Sequence, residues 1–367
     1  MLVKLKDVAY LVNDRRERRS DDVNHFVSTE NLLSDRRGVS FPASTSPKSK
    51  YVHAYTKGDI LISNIRPYFK KIWKATFDGT RSADVLCFRS SAKELSQDYL
   101  YVLLESESFF NYVTKTAKGT KMPRGDKSAI LEFEFNLPSL KIQKEISHQI
   151  ISIEKKIRLN EQINDNLSEI NKTVFSNFFA NQNSITKASD IADIRIGKTP
   201  PRKQKKWFSL NGGYKWLSIK DMKRDGIFAL HTEEFLTKEA IEKYNIQVVP
   251  KHTVMLSFKL TIGRVKISEE NMVTNEAIAQ FRNSKLPYEY LYTYLGNFSF
   301  ETLGSTSSIA QAINSRIIKS MPILIPERDL LNKYLNFARP IFSKMLILQK
   351  ENIKLNRLKQ VLLDKYF

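Results

Sequence analysis

The chain has 367 residues, 41% of them hydrophobic. At about 100–200 residues per domain this is enough for two globular domains with cores of their own, which excludes disorder of the whole chain. A net charge of +20, from 59 lysines and arginines against 39 aspartates and glutamates, favours a polyanion such as nucleic acid as a partner. The single cysteine, Cys87, excludes an internal disulfide and a cysteine-rich zinc site, and it suits a reducing cytosol.

The N-terminus lacks the pattern of an export signal. Charges at Lys4, Lys6 and Asp7 interrupt its apolar residues before a signal-peptide core can form. The sequence also has no apolar stretch that approaches the roughly 20 residues of a membrane-spanning helix. We therefore expect a soluble, cytoplasmic protein.

The first half of the chain changes character once. Residues 1–137 carry short β-branched or aromatic runs, such as 59–63 and 83–88, between Gly and Pro residues, which predicts the strands of a mixed α/β domain. Tyr99 to Val113 has the pattern of a helix in that domain. Residues 139–180 contain no Gly or Pro and place apolar side chains three or four positions apart, which predicts one helix of about 63 Å.

The second half repeats this change, with a globular stretch over residues 181–325 and a helical stretch from 326 to 367. Pro340 lies inside the latter and predicts a kink, or a break into two helices near Arg339. Asn164 and Asn352 occupy equivalent helix positions, where a polar side chain costs stability but can fix the register. The residues predicted to form the seam between the helices are Ile153, Ile157, Asn164, Leu167, Val174, Ile341, Met345, Asn352, Leu355 and Leu362.

The matching seams predict that the two long helices pack against each other as an antiparallel coiled coil that separates two globular domains. The alternative is a pair of unrelated surface helices, each packed on its own domain. The matching seams favour the first arrangement. The sequence also contains a repeat, because paired segments recur in the same order about 190 residues apart. The pairs are residues 4–9 with 187–192, 25–32 with 215–222, 57–63 with 251–257, 98–101 with 289–292, and 178–179 with 366–367.

Basic residues cluster in both globular stretches. A single basic run is usually a solvated loop, but corresponding runs in both halves of so positive a chain favour phosphate binding. Arginine also suits the reading of base edges, because its guanidinium can bond guanine bidentately. Which residues read bases stays open. The residues predicted to bind DNA are Arg15, Arg16, Arg18, Arg19, Arg36, Lys70, Lys121, Arg202, Lys203, Lys220, Lys223, Lys259 and Ser307.

The sequence contains no recognisable catalytic or metal motif. Gly197-Lys198-Thr199 resembles the end of a phosphate-binding loop, but Ala192 stands where its first glycine belongs and Pro200-Pro201 would block the following helix. The five histidines lack metal-ligand spacing. A glycine-rich S-adenosylmethionine loop and an Asn-Pro-Pro-Tyr-like tetrapeptide are missing as well.

Gly197-Lys198-Thr199-Pro200 is followed in the second half by a Trp-Leu-Ser-Ile-Lys-Asp run at 216–221. On these and further segments the sequence resembles, over essentially its whole length, a specificity (S) subunit of a Type I restriction-modification enzyme. The two segments are similar to the opening of the family's target-recognition domains, although Lys198 stands where glycine is common. Further segments of the second half resemble the run toward its helix, and the first half carries fainter versions. These segments are residues 261–265, 275–279, 304–307 and 324–326, and residues 64–67, 118–120 and 137–146.

The resemblance implies an α+β, mixed α/β fold with two target-recognition domains, residues 1–137 and 181–325, each binding one half of a bipartite DNA sequence. Residues 138–180 and 326–367 would space these domains and dock two modification subunits. Catalysis would belong to the partners: S-adenosylmethionine and adenine methylation to the modification subunits, and ATP- and Mg-dependent cleavage of foreign DNA to the restriction subunits. The alternatives are a freestanding DNA methyltransferase or nuclease with an unrecognised active site, and an RNA-binding or structural coiled-coil scaffold.

Overall fold

The computed structural model describes residues 1–42, 49–91, 93–224, 226–259, 261–303 and 313–367. The chain divides into two compact units: the first unit contains Met1–Lys156 and Leu355–Phe367, and the second unit contains Ile157–Lys354. Within the described residues no helix has the length and apolar character needed to cross a membrane.

The first unit is built on two four-stranded sheets. Its strands are β1 (Leu2–Lys4), β2 (Ala9–Leu11), β3 (Arg15–Glu17), β4 (Phe26–Val27), β5 (Tyr51–Tyr55), β6 (Ile60–Ser63), β7 (Ile72–Lys74), β8 (Gly79–Arg81), β9 (Val85–Ser90) and β10 (Glu134–Asn136). Its helices are α1 (Leu5–Val8), α2 (Gln97–Glu105), α3 (Glu107–Thr116), α4 (Lys127–Leu131) and the start of α5 (Leu140–Phe179), with 3₁₀ turns at Ser20–His25 and Pro67–Phe69. One sheet has the antiparallel order β2-β9-β6-β7, and the other has the order β3-β5-β8-β4.

The second unit repeats this plan. Its strands are β11 (Ile185–Lys187), β12 (Asp193–Ile196), β13 (Phe208–Ser209), β14 (Tyr214–Leu217), β15 (Phe228–Ala229), β16 (Glu234–Leu236), β17 (Val254–Ser257), β18 (Val265–Ser268), β19 (Val273–Thr274), β20 (Ile278–Arg282) and β21 (Pro322–Leu324). Its helices are α6 (Ala188–Ile191), α7 (Ile219–Met222), α8 (Lys238–Lys243), α9 (Tyr288–Asn297), α10 (Ser315–Ser320) and most of α11 (Arg328–Tyr366), with 3₁₀ turns at Lys205–Trp207 and Phe300–Leu303. The order β12-β20-β17-β18 reproduces β2-β9-β6-β7, and β15 is added at its edge.

The predicted repeat therefore extends to strand pairing, with one difference in the smaller sheets. Both contain a parallel pair, β4 with β8 in the first unit and β14 with β19 in the second. In the first unit the antiparallel strand next to this pair is β5, which pairs with β8. In the second unit it is β16, which pairs with β14, the counterpart of β4. The two copies consequently present different surfaces on this sheet.

Each unit has a large core beside its helices; the first unit has one smaller core in addition, and the second unit has two. In the first unit α2 and α3 pack Leu100, Leu104 and Phe109 against β6 and β9, and Ile150 of α5 closes this cluster. In the second unit the corresponding cluster joins α9 to α5 and α11 through Tyr290, Phe175 and Tyr334. Apolar burial thus fixes where the long helices meet each unit.

The predicted helical stretches, residues 138–180 and 326–367, contain α5 and α11. Of the two outcomes predicted at Pro340, a kink or a break into two helices, the break does not occur. Helix α11 is continuous through this residue. Proline removes one backbone donor and crowds the preceding turn. Ala338 and Phe342 on either side are almost completely buried in the core of the second unit, and this packing offsets the local penalty.

The single helix predicted over Tyr99 to Val113 is instead the pair α2 and α3, with Ser106 between them. Ser106 has an extended backbone, and its hydroxyl accepts a hydrogen bond from the Phe109 amide at 3.2 Å. A serine in this role starts a new helix, because it satisfies an amide that has no partner in the first turn.

Within each unit the contacts between α5 and α11 run antiparallel, as predicted. Of the predicted seam, Ile157 and Met345 are buried and the other eight residues are half-buried. Asn352 pairs with Asn160: Nδ2 of Asn160 donates to Oδ1 of Asn352 at 2.8 Å. Nδ2 of Asn352 donates in turn to the carbonyl of Ile157 at 3.2 Å. Asn164 is half-buried, and its Oδ1 accepts no hydrogen bond from the described residues.

The first unit also contains a buried charge cluster that the sequence analysis did not foresee. Glu105 at the end of α2 is fully buried, and Glu154 of α5 and Lys359 of α11 are nearly so. The Lys359 ammonium lies 3.0 Å from Glu105 Oε1 and also contacts Glu154, and the hydroxyl of Tyr101 lies between the two carboxyl groups. We call these four residues the seam cluster.

Candidate nucleic-acid interface

Three of the basic residues predicted to bind DNA in the first unit form ion pairs within the protein. Arg16 of β3 bonds both carboxyl oxygens of the buried Asp22. Burial acts to raise the pKa of Asp22, but the hydrogen bonds from Arg16 and the Arg19 amide outweigh it and lower the pKa. Arg16 therefore ties β3 to the 3₁₀ turn that follows it.

Arg36 and Lys70 both bond Glu107 at the start of α3. The Arg36 side chain is only 10% exposed, and its Nε and Nη2 donate to the Glu105 carbonyl at 2.5 Å and to Glu107 Oε1 at 2.7 Å. Lys70 Nζ lies 2.7 Å from both Glu107 oxygens. Burial acts to raise the pKa of Glu107, but these two cations lower it overall. The three side chains connect two loops to the helical part of the unit.

The other predicted residues of the first unit are exposed. Arg15 lies at the start of β3, and its guanidinium is 3.4 Å from Nε2 of His53 on the paired strand. Arg18 and Arg19 lie directly after β3, and Lys121 lies in the segment before α4. Within the run Arg15–Arg19, Arg16 is bound to an internal carboxylate, and the side chains of Arg15, Arg18 and Arg19 are exposed.

In the second unit Arg202 lies on the small sheet. Its Nη1 is 2.9 and 2.7 Å from the two carboxyl oxygens of Glu234, and its guanidinium carbon is 4.4 Å from the ring centroids of both Phe208 and Trp216. Half of the Arg202 side chain is exposed. Such contacts restrict the rotamers of a long side chain while its charge stays accessible.

The remaining predicted lysines of the second unit are exposed. Lys220 in α7 pairs with Glu233 at 2.7 Å and is 75% exposed, so this pair contributes little stability. Lys203, Lys223 at the end of α7, and Lys259 lie at the surface, and Lys259 is 5.4 Å from the Phe258 ring. Ser307 lies outside the described residues.

More cations lie around the same aromatic core than the sequence analysis named. Trp207 belongs to the same buried cluster as Trp216 and Leu236, and its ring is 4.6 Å from Lys206 Nζ and 5.0 Å from Lys243 Nζ. The run from Arg202 to Trp207 signals part of this surface, because it places four cations within the five residues before a tryptophan. Lys243 comes from α8 and could not be placed from local sequence.

Among the described residues no group of three or more His, Cys, Asp or Glu side chains could bind a metal ion. The thiol of Cys87 is buried, and its pKa is raised by burial to about 12, so it stays protonated near neutral pH. What the two units do present are exposed cations in both copies of the plan, an arrangement suited to a polyanion.

Comparison with known proteins identifies the family. The model of the Type I restriction modification DNA specificity domain matches residues 3–169 and again residues 183–336. The chain therefore belongs to this family, which recognises DNA rather than catalysing a reaction, and it contains two copies of the family's domain.

Relatives align with most of the chain. It is 21% identical to the Type I restriction enzyme HindI specificity subunit of Haemophilus influenzae, over 85% of this chain and 86% of that protein. It is 20% identical to the MjaIX specificity subunit of Methanocaldococcus jannaschii, over 73% of this chain and 67% of that protein. The crystal structure of a Type I S subunit from M. genitalium matches with a TM-score of 0.54 at 12% identity, over 100% and 96% of the two chains, which supports the fold.

Proposed function

We propose that this chain is the DNA-recognition subunit of a Type I restriction-modification complex. Residues 1–137 and 181–325 are the two target-recognition domains, and each binds one half of a bipartite duplex sequence. The observation that supports this most directly is the tandem match to the specificity domain, on a chain that carries exposed cations in both copies. Two diverged copies suit two different half-sites.

The structure suggests how the basic residues divide their work. In the proposal Arg15, Arg18, Arg19 and Lys121 contact DNA from the first domain, and the exposed cations around Arg202 do so from the second. Arg16, Arg36 and Lys70 act mainly through their internal carboxylates, which fix the shape of the first domain. Phosphate contacts give affinity and position, and contacts to base edges give sequence preference.

The other activities of the complex belong to partner subunits in this proposal. The long helices, residues 138–180 and 326–367, dock two modification subunits, which supply S-adenosylmethionine and methylate adenine. Restriction subunits supply ATP-dependent translocation and Mg-dependent cleavage. This chain contributes recognition and binds none of these cofactors itself.

A competition experiment tests the recognition role. The full chain, assembled with its modification subunits, is titrated with labelled duplex DNA at several salt concentrations against unlabelled duplex DNA or RNA. We expect affinity to fall steeply with salt and duplex DNA of the correct sequence to compete best. Equal competition by every duplex, or preference for RNA, would contradict the proposal. Cleavage of DNA with magnesium by the isolated chain would instead indicate a nuclease.

A further inference from the structure

Arg202 is an exposed arginine that neighbouring strands of the second unit fix in one position. Glu234 is in β16, Phe208 in β13 and Trp216 in β14, and β16 pairs with both of the other strands. Trp216 lies directly opposite Glu234 across the strand pair. The three side chains that contact Arg202 therefore share one face of the sheet.

The platform under the guanidinium is itself rigid. Trp216 is 2% exposed, and its indole N–H donates to the carbonyl of Lys198 at 3.3 Å. The rings of Phe208 and Trp216 meet edge to face at 5.6 Å. Strand β14 is paired on both sides, with β16 and with β19. Arg202 consequently loses little conformational freedom if it binds a ligand, which favours affinity.

One edge of the guanidinium is used and another is available. Both hydrogen bonds to Glu234 come from Nη1. Within the described residues Nη2 and Nε of Arg202 have no hydrogen-bond partner, so two parallel N–H groups can bond an external ligand. The ligands that match this fork are a phosphate, a carboxylate, or the O6 and N7 atoms of guanine in the major groove.

Charge distinguishes between these ligands. Glu234 neutralises the arginine locally, and its carboxylate would repel an approaching phosphate. The O6 and N7 atoms of guanine are neutral acceptors, so they keep the hydrogen bonds without that repulsion. Lys203 and Lys205, which are exposed and lie next to Arg202 in sequence, supply uncompensated charge that suits phosphate better.

We infer that Arg202 is a specificity-determining residue that reads one guanine in the half-site bound by the second unit, with Glu234, Phe208 and Trp216 as its positioning residues. This inference rests on the proposed function and assigns one of its contacts. It separates Arg202 from the lysines around it, which contact the backbone and affect all sequences alike.

The test uses the full chain assembled with its modification subunits and a library of duplex targets that vary one base pair at a time. Arg202→Lys keeps the charge on the aromatic rings and removes the two-donor fork. We expect discrimination at one G·C pair of one half-site to fall by about 5- to 150-fold, the range for loss of one bidentate base contact. Discrimination at every other position should stay within about two-fold.

Two further variants separate base reading from other roles. Lys203→Ala, the matched control, should weaken binding to all targets by a similar factor and lower its salt dependence. Glu234→Gln should strengthen binding to unrelated DNA, because the charge of Arg202 is no longer compensated, and should weaken discrimination at the same G·C pair. Circular dichroism and thermal unfolding verify that each variant is folded.

The results separate the role of Arg202 from DNA recognition by the chain as a whole. Unchanged discrimination in Arg202→Lys and Glu234→Gln, or a loss of affinity that is uniform over the library, would overturn the role of Arg202 and leave DNA recognition by the chain intact. If the unmodified complex already binds every member of the library equally, the proposed function fails instead.

Discussion

The seam cluster makes the stability of the first unit depend on pH. Two carboxyl groups, Glu105 and Glu154, share one ammonium group, that of Lys359, in a site closed to water. With both carboxylates ionised the cluster would carry a buried negative charge, so one proton is retained. Burial, with the neighbouring charge of Glu154, raises the pKa of Glu105 to about 8.

The sign of the effect follows from proton binding. An unfolded chain releases the Glu105 proton near its ordinary pKa of 4.5, whereas the folded unit keeps it to about pH 8. Stability from this group is therefore fully present below about pH 4.5 and is lost as the pH rises to about 8, by up to about 1.4 kcal/mol per pH unit. Glu105→Gln is an isosteric substitution that cannot titrate, so it should remove this slope and make the unit more stable than the original protein near pH 8.5.

Hydrogen exchange provides the assay, because a chain of two units does not give one unfolding transition. The free energy of opening of residues 355–366 in α11 is measured from pH 5.5 to 8.5 after correction for intrinsic exchange rates. Glu145→Gln, an exposed site on α5, is the matched control and should retain the original slope. If Glu105→Gln and the original protein have the same pH dependence, the shared proton does not exist and the reasoning is refuted.

Three other substitutions test the seam cluster and the contacts at the start of α3. Lys359→Met leaves two buried carboxyl groups without a cation. In the same hydrogen-exchange assay it should lower the free energy of opening of the first unit by about 3–5 kcal/mol at pH 7, with partial recovery at pH 5. An equal loss at both pH values would contradict this. Glu107→Gln should lower the stability of the first unit, measured by hydrogen exchange, by about 1–3 kcal/mol at pH 7. Because the pKa of Glu107 is lowered, the difference in stability between the variant and the original protein should vanish as acid titrates the original carboxylate. A difference that stays constant with pH would indicate lost packing instead. Ser106→Ala should lower stability by about 1 kcal/mol and increase hydrogen exchange at the Phe109 amide, because that amide loses its capping partner. Protection of this amide equal to that in the original protein would exclude the cap.

Local pattern was sufficient to predict the regular parts of the fold. Apolar side chains recur at helical spacing along α5 and α11, and this period is a property of the segment itself, so the bounds of both helices follow from it. The internal repeat predicted two similar mixed α/β copies. The strand order of their larger sheets agrees, apart from the added β15, whereas their smaller sheets pair differently. The cap at Ser106 is also a local signal, and it was missed because apolar residues continue on both sides of it.

The polar contacts could not be predicted in this way, because their partners are distant in sequence. Arg36 looks like any other cation of a basic loop until α3 places Glu107 beside it. Lys359 and Glu105 are likewise brought together only by the folded first unit. Continuity through Pro340 has the same origin, since burial of residues far apart in sequence overrides a local preference.

In the proposed function, this chain decides which DNA sequence its complex modifies. Genome-wide mapping of N6-methyladenine tests this role most directly. The mapping is done in cells that contain the modification subunits and in which the chain is present, is absent, or carries another target-recognition domain in place of residues 1–137. We expect methylation of one bipartite sequence that disappears without the chain and changes in only one half after the replacement. A pattern that is the same with and without the chain would contradict the account.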